Sequence, residues 1–205
     1  MSSDELKELK GKFRNDRRSK SFYDNHSDFV VNDTRLFRDA VWQGYTDACR
    51  TFTGISKEKK TSKDGMPFVK LAETIESYFI DPNGEFKHSR WCNDFMKNIG
   101  EEYGYTVRFG QAQKVVNMAF KYLYCCNGTK DYNKKFQECH MPFDQYTLLW
   151  LFKVKDVFYQ EWSWFDEPNY NDAQNMVKEE LGKNILENEL KIWDEYKGKV
   201  RILKP

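Results

Sequence analysis

Four polar residues mark one line along the most continuously apolar stretch of the chain. In FGQAQKVVNMAFKYLYCC, residues 109–126, Gln113, Lys114, Asn117 and Lys121 fall at i, i+1, i+4 and i+8. At about 100° per residue they share a narrow helical stripe. Downstream come His140, Pro142 and Asp144. A histidine with a carboxylate neighbour is suited to proton transfer near neutral pH, and a lysine with an amide close by can hold an anionic or carbonyl oxygen. If the helix that opens after Pro142 packs antiparallel to the first, its start lies near the end carrying Lys121, where His140 or Asp144 meets the stripe. The plainer account of the same residues makes Asp144 an N-cap, lets His140 satisfy a loop carbonyl, and has Lys114 and Lys121 snorkel to water. Polar groups on a buried helix need partners whether or not they do chemistry.

A second chemistry is phosphate contact. The segment KGKFRNDRRSK, residues 10–20, carries Lys12, Arg14, Arg17 and Arg18 against a single Asp16, and the polar loop SKEKKTSKDG offers Lys57, Lys59 and Lys60. Such runs serve as basic arms on nucleic acid, or simply as solvated termini and loops. A third candidate is the aromatic cluster Phe158, Tyr159, Trp162, Trp164 and Phe165, which is able to stack bases but is of a kind more often buried as core. Phosphate-loop, dinucleotide-fold, zincin and nucleophile-elbow motifs are absent. No metal site is expected. Cys125 and Cys126 are adjacent, so a helix splays their side chains, and Cys139–His140 lacks nearby further ligands. No cofactor is expected either.

Composition narrows the class. With 40% apolar and 32% charged residues the chain is globular, and 17% aromatic residues imply a core of large rings. A net charge of +1 leaves no basic coat, so anionic partners have only local patches to bind. Five cysteines without framework spacing, and a start without a signal-peptide core, point to the cytoplasm. Lys114, Asn117 and Lys121 interrupt the best candidate for a membrane span.

The elements that must position these residues read as helices. One starts at Asp33, with Phe37, Val41, Gly44, Ala48 and Phe52 on one face; another starts at Pro67. Asp81–Gly84 makes a turn, and a further helix runs from about Ser89 to Gly104. After the central helix, Pro142 and Asp144 open an apolar helix expected to pack on it. A last helix, about 171–196, carries acidic residues outward. Strand alternation is confined to Phe29–Val31 and a tail at 200–203. The fold class is therefore mainly α: a compact multi-helix bundle around a central buried helix, 109–126, with little or no sheet. One domain spans 1–205, with 1–30 as a mobile basic arm.

Three functions fit: a binding protein associated with nucleic acid through local basic patches; a small enzyme or ligand-binding domain with a polar pocket between the central helix and the helix after Pro142; or a protein-interaction factor without chemistry. Partners are accordingly nucleic acid or protein rather than membrane. The sequence is silent on oligomeric state.

Overall fold

The computed structural model describes residues 1–53, 61–157, 159–197 and 199. Among them the chain forms helices and no strand: α1 (Ser3–Arg14), α2 (Lys20–Tyr23), α3 (Thr34–Ala48), α4 (Met66–Ile80), α5 (His88–Tyr103), α6 (Phe109–Tyr124), α7 (Asn133–Phe136), α8 (Gln145–Lys155), α9 (Glu167–Leu181) and α10 (Ile185–Tyr196). The starts have local causes. Asp33 accepts from the backbone N–H groups of Arg35 and Leu36, Pro67 sits in the first turn of α4, and Asp144 accepts from those of Tyr146 and Thr147. Gly104, at φ 67°, stops α5 in the left-handed conformation that glycine adopts without a Cβ penalty.

All 16 residues of α6 are buried, the polar stripe included. A helix enclosed on every side is the axis of the bundle, and α3, α5, α9 and the 3₁₀ turn Trp162–Trp164 pack around it. Two glycines allow the closest approaches. A Cβ on Gly44 would lie 2.5 Å from the Val115 carbonyl oxygen, and one on Gly110 would overlap that of Trp162. The core is rings: Phe37, Phe68 and Phe120 are 0% exposed. Truncating such a ring to alanine costs about 3–5 kcal/mol.

Four expectations change. Residues 1–30 do not form a free arm: α1 docks on α10, burying Leu9 and Phe13, and Phe22 and Tyr23 follow them into the core. The charged spacing hid an apolar stripe. The final helix is two, because Gly182 adopts φ 68° and breaks the chain between α9 and α10. α8 packs along α10, and it is the segment before it that meets α6 through Phe143 and Asp144; within α8, Thr147, Trp150 and Leu151 are buried while Phe152 and Val154 face out. Around Phe29–Val31 only an isolated parallel bridge of Asp28 with Asn127 forms. The tail at 200–203 lies outside the described residues. None of the described helices is long and apolar enough to cross a membrane.

Candidate functional site

The irregular segment before α8 runs back along the stripe. Met141, Phe143 and Asp144 meet Asn117, Gln113 and Lys114 in turn. Two glutamines clamp it as a neighbouring strand would. Gln113 takes the Phe143 N–H at 3.3 Å and donates to the Phe143 carbonyl at 3.2 Å. Gln174, from α9, takes the Met141 N–H at 3.2 Å and donates to its carbonyl at 2.7 Å. Backbone polarity fixes both amides, because a flipped amide would set donor against donor.

Between the clamps lies the Tyr170 hydroxyl, fully buried. Four side chains meet it: Asn117 Nδ2 at 2.9 Å, Gln174 Nε2 at 3.2 Å, His140 Nδ1 at 2.9 Å and His88 Nε2 at 3.2 Å. The His88 and Tyr170 rings stack with centroids 5.0 Å apart, and those of His88 and His140 are 4.6 Å apart. Burial pushes the His88 pKa down to about 3, against a smaller opposing effect of Asn117. Burial also lowers that of His140, helped by His88 and Lys178. Both rings are neutral near pH 7, so this half of the site carries no charge. Asn117 Oδ1, also in this network, is buried without a hydrogen-bond partner.

The other half is ionic. Lys114 Nζ lies 2.8 Å from Asp144 Oδ2. Burial works against that carboxylate, but Lys114 outweighs it and holds its pKa below the usual range. Lys121 pairs with Glu189 at 2.6 Å, each side chain 1% exposed, and its ammonium sits 4.3 Å from the centre of the Phe13 ring. Burial raises the Glu189 pKa, and Lys121 only partly opposes the rise. Asp47 accepts from the Tyr122 hydroxyl at 3.0 Å, and its pKa is raised by burial against the pull of Lys114.

These groups line a cleft of ≈ 410 Å³ between α3, α6, the start of α8 and the Trp162 turn. Lys114, Lys121, Asp47 and Asp144 belong to its polar lining together with the carboxylates of Asp16 and Glu161, and Tyr146, Trp162 and Trp193 add ring surface. The exposed Arg18 and Arg50 also line it, and neither guanidinium makes an ion pair with another described residue.

The predicted residues are therefore brought together, though not as a histidine–carboxylate pair. His140 turns to Tyr170, while Asp144 is taken by Lys114 and by its own helix cap. His26 is the histidine that meets a carboxylate, Asp39 at 2.9 Å. Of the basic arm, Lys12 pairs with Asp194 at 2.8 Å and Arg14 donates to Asn127 at 2.7 Å; Arg17 is exposed, and Arg18 alone reaches the cleft. Lys57, Lys59 and Lys60 lie outside the described residues. Sequence reasoning missed His88, Tyr170, Gln174 and Glu189. The available signal was an amide-rich stripe that its own helix had no means of satisfying. No protein-family model, no curated protein and no solved structure matches this chain.

Proposed function

We propose that this is a binding protein whose site is the cleft beside Lys114, and that the cleft takes a planar, phosphate-bearing ligand of the nucleotide type, free or as an unstacked unit of a nucleic-acid strand. The observation that carries the reading is the position of Arg18 and Arg50. Two exposed guanidiniums, neither in a direct ion pair with a described residue although Arg18 lies near enough to Asp16 and Asp47 to exert a downward pull on their pKa values, border a recess lined by aromatic rings. Guanidinium groups match phosphate geometry, and indole or phenol faces stack any base. Below them the Lys114–Asp144 pair presents a donor and an acceptor to the polar edge of a ring. The pairing of Lys12 and the engagement of Arg14 argue against a continuous basic surface and move the phosphate contact to the cleft.

Trp162 and Trp193 provide the readout. Tryptophan fluorescence is titrated with mononucleotides and, separately, with short single-stranded oligonucleotides, in wild type, Arg18→Ala and Arg50→Ala. Each substitution is expected to weaken binding by about tenfold, the loss of roughly 1.4 kcal/mol of phosphate contact. For oligonucleotides it also flattens the salt dependence by about 0.7 in log–log slope. Saturable binding of mononucleotides assigns a free ligand, and binding of oligonucleotides alone assigns a strand. No saturable change with either at low salt would end the reading.

A further inference from the structure

The Tyr170 hydroxyl has one proton and two lone pairs, yet four groups converge on it. Gln174 spends one amide hydrogen on the Met141 carbonyl at 2.7 Å and aims the other at Tyr170. Asn117 spends one on Gln113 Oε1 at 3.0 Å; its second has Tyr170 at 2.9 Å and the Met141 carbonyl at 3.2 Å, and the nearer acceptor is the phenol. Two donors fill the two lone pairs. The phenolic proton then has two claimants, His140 Nδ1 at 2.9 Å and His88 Nε2 at 3.2 Å, and the nearer is His140.

The shorter contact assigns the tautomer. A neutral imidazole that accepts at Nδ1 carries its proton on Nε2, and burial together with His88 and Lys178 keeps His140 neutral. The ring is partly exposed and forms part of a second groove, ≈ 530 Å³, on the side of the bundle where the end of α9 meets the start of α10. Phe86 meets the ring edge to face at 5.2 Å, so its orientation is held from two sides. Lys178 and Lys183 line the same groove, both exposed and neither in an ion pair with a described residue. The one carboxylate of the lining, Glu138, accepts from the Tyr78 hydroxyl at 2.9 Å. A neutral N–H donor beside two unspent ammoniums is the donor set of an oxyanion site, offering hydrogen bonds and charge.

We propose that this groove is a second ligand site, separate from the Lys114 cleft, that holds a small oxyanion group, phosphate or carboxylate, on His140 Nε2–H with Lys178 and Lys183. The network behind it acts as a positioning device: Gln113 and Gln174 hold residues 141–143, Asn117 and Gln174 fill the phenol, and the phenol sets the face that His140 turns to the groove.

Two measurements on the full chain test it. Long-range nitrogen–proton correlation spectra of the imidazoles read the tautomer directly, and His140 is expected to be protonated on Nε2. A ring protonated on Nδ1 would overturn the proposal. The second is a titration with inorganic phosphate and, in parallel, with acetate, at constant ionic strength held with chloride. The His140 signals are expected to move saturably, with phosphate preferred if the site serves phosphoryl groups and acetate if it serves carboxylates. The Lys178→Ala/Lys183→Ala variant, altered only at exposed positions, is expected to weaken binding by roughly a hundredfold, about tenfold per charge-assisted bond. His140→Gln, which keeps a side-chain donor, is expected to retain more affinity than His140→Phe. Shifts that never saturate, or that persist unchanged in the double lysine variant, would overturn the proposal.

Discussion

The two halves of the polar stripe meet the same difficulty, burial on the central helix, by opposite means. Gln113 and Asn117 are neutral and are satisfied by backbone, phenol and imidazole, whereas Lys114 and Lys121 keep their charge and each holds a carboxylate. The difference follows the surroundings. The neutral half is enclosed by His88, Tyr170 and Gln174, all at most 3% exposed, where any ion would lack a counter-charge. The ionic half opens toward a cleft at Lys114 and Asp144, whereas Lys121 and Glu189, 1% exposed each, are as enclosed as the neutral groups and supply each other's counter-charge. A neutral network specifies which side chain meets which; an ion pair beside a cleft leaves charge where a ligand can use it.

The comparison breaks most sharply at Lys121. Glu189 is 1% exposed; Lys121 donates to its Oε1 at 2.7 Å and lies 2.6 Å from its Oε2, which makes no hydrogen bond of its own. Lys121→Met strands that carboxylate and is expected to lower stability by about 3–5 kcal/mol, while Lys121→Met/Glu189→Met recovers most of the loss because the stranded charge goes with its partner. Urea unfolding of the two variants decides the matter. A double variant as unstable as the single one would mean that packing between Phe13 and Trp193, rather than the charge, accounts for the cost.

The neutral half has its own signature in acid. His88 has its folded pKa near 3, below the roughly 6.5 of an unfolded histidine. Between those values the unfolded chain binds the extra proton. The contribution to stability is therefore complete above about pH 6.5 and is lost as the pH falls toward 3. Two pH units into that window cost about 2–3 kcal/mol. His140 shifts in the same direction and adds to the loss. Asp39 and Asp144, both held below the usual carboxylate range, form a background common to wild type and variant. Unfolding free energy measured from pH 7 to 4 should fall more steeply for wild type than for His88→Gln; equal slopes would show that His88 is protonated in the folded protein.

The stripe was legible because a 3.6-residue period places Gln113, Lys114, Asn117 and Lys121 on one line whatever surrounds them. The mainly α class was legible for the same reason. What answers the stripe was not. Glu189, Tyr170 and His88 lie 68, 53 and 29 positions from the residues they meet or approach, and periodicity carries no information on such pairings. Glu189 read as part of the acidic outer face of a single helix drawn through Gly182. Yet Glu189 stands one turn after Ile185 and just before Ile192, on the face that α10 buries, so its charge and not its position concealed it. His140 and Asp144 were rightly placed against the stripe, but their four-residue spacing in an extended segment sends them to different neighbours, the phenol and Lys114.

The smallest expected effect on stability separates charge used by the fold from charge left for a ligand. Arg18 and Arg50 are exposed and form no ion pair with a described residue, so Arg18→Ala and Arg50→Ala are expected to move unfolding free energy by no more than about 0.5 kcal/mol. Lys114→Met, at a buried position of the same cleft, leaves Asp144 without its ammonium at the point where that carboxylate also caps α8. It should therefore cost both stability and binding, whereas the arginine variants should cost binding alone. A cleft used by a ligand predicts that split. If Arg18→Ala or Arg50→Ala destabilised the fold as Lys114→Met does, the guanidiniums would belong to the scaffold, and the distinction between the floor of the cleft and its exposed arginines would fail.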